Sequence, residues 1–138
     1  MTTKFQVLKV KRLLSQIDEY DLDVPAGFRE LTLAYIVDNY NGAGPDWLPE
    51  TERGIFTWLL SLFEPAFLIH DMEFAASNRT AKGFNNANDR MWSNIRRIIN
   101  REYPLYNPLC WVDHARWYLR GTAAWRVCKR FGWYAWID

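Results

Sequence analysis

The chain is sparing with the residues that cross-link, anchor or catalyse. It has only two cysteines and two histidines, and no apolar run approaches the ~20 residues that span a bilayer. The longest such stretches, IFTWLLSLF and PAFLIH, are interrupted too soon, so no membrane crossing is expected. The start, MTTKFQVLKVKRLL, scatters lysines and offers no continuous apolar stretch before a small-residue cleavage site. It does not read as a signal peptide, which predicts cytoplasmic synthesis. Cys110 and Cys128 both fall in a segment that reads as one helix, where 1.5 Å per residue sets them about 27 Å apart. That excludes a disulfide and predicts free thiols in a reducing compartment. Internal repeats, low-complexity tracts and Ser/Gly linkers are also missing, so residues 1–138 form a single domain.

What is present suits a folded core. The 138 residues are 49% hydrophobic and 17% aromatic, with eight tryptophans, ample for one buried centre. The net charge of +1 conceals an asymmetry: residues 1–69 hold six Lys and Arg against ten Asp and Glu, residues 70–138 eleven against six. A basic half of this kind either faces lipid or nucleic-acid phosphates or is only a set of solvated helix faces. The modest pI of 7.8 and the lack of any nucleic-acid motif argue against a nucleic-acid partner.

The periodicity predicts a mainly α fold of antiparallel helices joined by short loops. In TKFQVLKVKRLLSQI, Val10, Leu13, Leu14 and Ile17 fit a helical face. The alternation in FQVLKV leaves a short β segment near the N-terminus open. FRELTLAYIVDNY, PETERGIFTWLLSLF and PAFLIHDMEFAAS read as helices, the last restarting at Pro65. FNNANDRMWSNIRRIINREY is the clearest amphipathic helix, with Met91, Trp92, Ile95, Ile98 and Ile99 on one face. NPLCWVDHARWYLRGTAAWRVCKRF is the last long helix, weakened at Gly121, and Trp111, Tyr118, Trp125 and Cys128 should face the core. Beyond Gly132, Trp133, Tyr134 and Trp136 either face lipid or fold back to finish the core.

One constellation carries chemistry. Phe67, His70 and Phe74 share a helical face, Asp71 follows the histidine, and Asp89 stands one turn before Trp92 on the next amphipathic helix. A buried carboxylate needs a partner, and His70 is the natural one. Upstream, the loop NYNGAGPDW holds Tyr40, Gly42 and Gly44. Read locally, it is either a helix-ending turn with Gly42 as its C-cap or a set of inward carbonyls.

In this order, Tyr-x-Gly-x-Gly loop, His-Asp helix and further Asp, the chain resembles the calcium-dependent phospholipases of the A-two type over about residues 24–99. The Gly-Pro end of the loop and the nineteen-residue step from His70 to Asp89 are most similar to the compact, disulfide-free viral capsid versions. VPAGF ahead of the His-Asp helix resembles small phage and prophage proteins. The resemblance implies calcium held by Asp71 and the carbonyls of Tyr40, Gly42 and Gly44. It further implies that His70 activates water against a phospholipid ester, with Asp89 orienting the imidazole, and that the partner is a phospholipid or membrane surface. Phe74 stands where the family carries a tyrosine. Two other readings remain open. A metal phosphohydrolase with a His-Asp motif needs an upstream histidine, whereas the second one, His114, lies downstream. A non-catalytic phage structural or host-interaction module would dock through its basic, tryptophan-rich C-terminus.

Overall fold

The computed structural model describes residues 3–40, 51 and 58–138, and every regular element among them is helical. Helix α1, Lys4–Glu19, takes up the segment whose alternation had left a strand open. Two local features decide for the helix. Thr3 and Gln6 close a capping box, each side chain bonding the other's backbone N–H, and Val10, Leu13 and Ile17 bury one helical stripe. The next helix, α2, is shorter than its sequence pattern suggested. Gly27 adopts φ 83°, a left-handed turn open to glycine, and Phe28–Glu30 form one 3-10 turn. Thr32 then caps α2, Leu33–Asn39, through its hydroxyl and the Tyr35 N–H. The helix expected over residues 49–63 lies mostly outside the described residues.

Helix α3, Glu64–Ala75, has Pro65 in its first turn, where the missing N–H costs nothing. Residues 64–70 and Met72 are all buried, as suits a helix that is apolar nearly all round. It packs against α1, α2 and α4, Ala81–Glu102, and so forms the centre of the domain. Fully buried side chains such as Phe63, Leu68, Ile69, Met91, Ile95 and Ile98 fill this interior. Each contributes about 1.5–3 kcal/mol on leaving water.

After a 3-10 turn at Pro108–Cys110, α5, Trp111–Phe131, lies along α4. Gly121 does not break α5. It is buried where the helices meet, and a Cβ there would stand 2.6 Å from Cγ2 of Ile95. Trp92 and Trp125 stack across the same contact at 5.7 Å. A final turn, α6, Trp133–Ile137, folds back over the end of α3. Trp136 is 4% exposed and meets Phe74 edge-on at 5.0 Å, Ser77 Oγ donates to its carbonyl, and its indole N–H donates to the Thr80 carbonyl. The tail therefore completes a small cluster with Phe74, Phe84 and Ala87, and Trp136 is no lipid anchor. Tyr134 remains exposed.

Candidate functional site

His70 projects from central helix α3 into the interface with α4, with 7% of its surface exposed. Its Nε2–H donates to Asn88 Oδ1 at 2.8 Å, and its ring lies 4.4 Å from that of Phe74. The expected partner, Asp89, is exposed instead. The reason is angular. Phe84, Asn88, Met91 and Ile95 form the buried stripe of α4, whereas Asp89 is turned about 100° further round the helix. Trp92, from which Asp89 was placed, sits at the edge of that stripe and is only half-buried. Asn88 was legible as the polar residue at heptad spacing between Phe84 and Ile95, and this signal outranks proximity to Trp92.

The environment of His70 suits a structural group better than a base. Burial pulls its pKa down to about 4, and the hydrogen bond to Asn88 offsets this only in part. The imidazole is therefore neutral over the physiological range, enclosed, and a weak base compared with the pKa near 7 that serves general-base catalysis. Asn88 Nδ2 is buried with no hydrogen-bond partner among the described residues.

Tyr40, at the end of α2, donates its hydroxyl to Glu64 Oε2 at 2.9 Å, and Lys9 Nζ stands 3.1 Å from the same oxygen. Burial and the Glu64 carboxylate raise the Tyr40 phenol well above its usual range, and Asp71 adds to the effect. Asp71, half-buried on α3, thus shares the neighbourhood of Tyr40. It also lies near Cys128, whose thiol is pushed up to about 12, chiefly by burial. Both cysteines are free, and Cys128 is in no state to act as a thiolate.

Gly42 and Gly44 lie outside the described residues. Among the described ones, no group of three or more His, Cys, Asp and Glu side chains forms a metal cluster. Of the expected calcium ligands, only Asp71 and Tyr40 lie among the described residues. His114 turns its Nδ1 to the Tyr103 carbonyl at 2.9 Å and stacks on Tyr118, which gives it a structural part.

The outer face of α5 and the turn before it depart from ordinary surface chemistry. Leu109 is 90% and Tyr106 89% exposed, and Leu105, Trp111, Val112 and Leu119 are exposed beside them. Trp111 and Tyr118 are both exposed rather than in the core: Trp111 donates its indole N–H to the Leu105 carbonyl, and Tyr118 lies against the rings of Trp92 and His114. Arg116, Arg126 and Arg130 are exposed on the same helix. Residues 111–137 hold five Lys and Arg against one acid, Asp113, which stands 3.5 Å from Arg116. Among the described residues, no helix is long and apolar enough to cross a membrane.

No protein family, curated protein or solved structure matches this chain.

Proposed function

We propose that the chain is a non-catalytic binding module that docks on an anionic phospholipid surface through the outer face of α5 and the preceding turn. The observation that carries this reading is the exposure of Leu105, Tyr106, Leu109, Val112 and Leu119 beside Arg116, Arg126 and Arg130. Apolar side chains gain about 1.5–3 kcal/mol each on full burial. Each cation near an anionic leaflet adds about 1 kcal/mol. Side chains of both kinds on one face suit an interfacial position, and tyrosine and tryptophan favour the headgroup region. A second copy of the chain fits this face poorly, because a two-fold contact would set the arginines against themselves.

Phospholipid remains the partner that the phospholipase resemblance implies, but ester hydrolysis has less support. It needs His70 to reach water and substrate, whereas the ring is enclosed by Asn88 and Phe74. The antiparallel His-Asp helix pair of that family would here hold a His-Asn pair.

Vesicle sedimentation tests the proposal. The full chain should co-sediment with phosphatidylglycerol vesicles, less with phosphatidylcholine, and release with rising salt. Leu109→Ser and Leu119→Ser should each weaken partitioning about tenfold. Absence of binding to anionic vesicles at low salt refutes the docking reading, and capture of a phage-virion or host protein by the same face would replace it. A calcium-dependent rise in melting temperature, with fatty acid released from the vesicles, would restore the hydrolase.

A further inference from the structure

A cleft of about 420 Å³ opens on another part of the surface, between the turn that carries Gly27, the C-terminal half of α3, the N-terminal half of α4 and the folded-back tail. Its size is that of a small-molecule site. Phe28, Leu31, Met72 and Trp136 supply apolar wall, while Glu73 and Arg90 stand at a polar end.

That polar end is built by long-range contacts. Asn94, fully buried on α4, clamps the backbone of Asp23 twice: Oδ1 accepts from the Asp23 N–H at 2.8 Å and Nδ2 donates to its carbonyl at 2.9 Å. Arg97 donates to the Asp21 carbonyl at 2.7 Å. The connection after α1 is thereby held against α4, which sets the Asp23 carboxylate beside Arg90. Arg90 Nε donates to Asp23 Oδ2 at 2.9 Å, and its Nη1 donates to Glu73 Oε1. Two carboxyl groups share one guanidinium, so with both ionised the cluster carries a net negative charge. The Glu73 side chain is only 10% exposed, and its second oxygen, Oε2, is buried with no hydrogen-bond partner among the described residues. A buried carboxylate oxygen without a donor is costly.

We infer that this cleft binds a small primary amine, with the ammonium group donating to Glu73 Oε2 and an apolar body lying against Phe28, Leu31, Met72 and Trp136. The ammonium supplies both what the oxygen lacks and the single positive charge that balances Asp23, Glu73 and Arg90. Glu73 lines the cleft with Oε2 shielded from solvent, and its broad terminal torsion lets the carboxylate rotate on binding to present that oxygen to the ammonium. Burial, opposed by Arg90 and reinforced by Asp23, raises the Glu73 carboxyl to about 7. Amine binding therefore strengthens from pH 6 to pH 8, as the carboxyl loses its proton, while Arg90, raised further by its carboxylate partners, stays charged.

The probe is phenethylamine, with its neutral analogue 2-phenylethanol as control, titrated into the full chain by calorimetry and by amide chemical-shift mapping. The amine should bind about tenfold or more tighter than the alcohol at pH 8, with shifts centred on Met72, Glu73, Arg90 and Trp136. Glu73→Gln, which keeps an oxygen for Arg90, should reduce the amine to the level of the alcohol and remove the pH dependence. Ala76→Phe, which fills the cleft from the exposed end of α3, should abolish both. Equal binding of amine and alcohol by the native chain overturns the inference, as does an unchanged preference in Glu73→Gln or a shift map outside the cleft. Should Glu73→Gln fail to fold, the two probes on the native chain and on Ala76→Phe decide alone.

Discussion

Replacing Asn88 by aspartate would install the His-carboxylate pair that the sequence suggested and the fold does not make. In the native chain the His70 pKa falls from the ordinary 6.5 to about 4. The folded state thus refuses a proton that the unfolded chain accepts. The stability linked to His70 is complete above pH 6.5 and is lost as the pH falls toward 4, amounting to roughly 3 kcal/mol over that window. Glu73 acts in the opposite sense. Its folded pKa, raised from 4.5 to about 7, makes stability fall as pH rises through that range, so the His70 slope is best measured in a Glu73→Gln background. Urea melts from pH 4 to 7 should there show stability rising with pH. In Asn88→Asp the new carboxylate lies within hydrogen-bond reach of Nε2, favours the imidazolium and raises the His70 pKa. The rise in stability between pH 4 and 6.5 should flatten or reverse, and the His70 Cε1–H resonance should titrate at higher pH than in the parent. A native His70 that titrates near 6.5, or an Asn88→Asp variant whose His70 still titrates near 4, would refute the reasoning.

Two further substitutions probe the packing that positions these sites. Gly121→Ala brings a methyl group to 2.6 Å from Ile95 Cγ2 and 3.3 Å from Trp92 Cζ3; overpacking of about 1–3 kcal/mol outweighs the gain of up to ~1 kcal/mol in helix propensity. Denaturant melts should show net destabilisation, and a more stable Gly121→Ala would mean that α4 and α5 adjust freely. Trp136→Ala should cost about 3–5 kcal/mol, and truncation after Phe131 should leave a chain with early, broad melting. A truncated chain as stable as the parent would return the tail to the role of a free surface anchor.

Local pattern determined much of the secondary structure. The apolar stripe of Met91, Ile95, Ile98 and Ile99 specified α4, Pro65 lies at the start of α3 where restarting chains place it, and the stripe of Val10, Leu13 and Ile17 outweighed a short alternation. Cys110 closes the 3-10 turn before α5 rather than lying on that helix, and the length of α5 keeps it apart from Cys128. Tertiary structure decided the chemistry. Each step along a helix turns the side chain by about 100°, so the choice between Asn88 and Asp89 depended on where the stripe is centred, and only packing against α3 settles that. The same holds for Trp111, placed outside, and for Trp136, drawn inside by Phe74 and Phe84. The union of Asp23, Glu73 and Arg90 has no local signature, because its members sit on separate segments that meet only once Asn94 and Arg97 hold the first connection against α4. Hydrophobic periodicity is a property of neighbours in sequence, whereas a polar site is a property of neighbours in space.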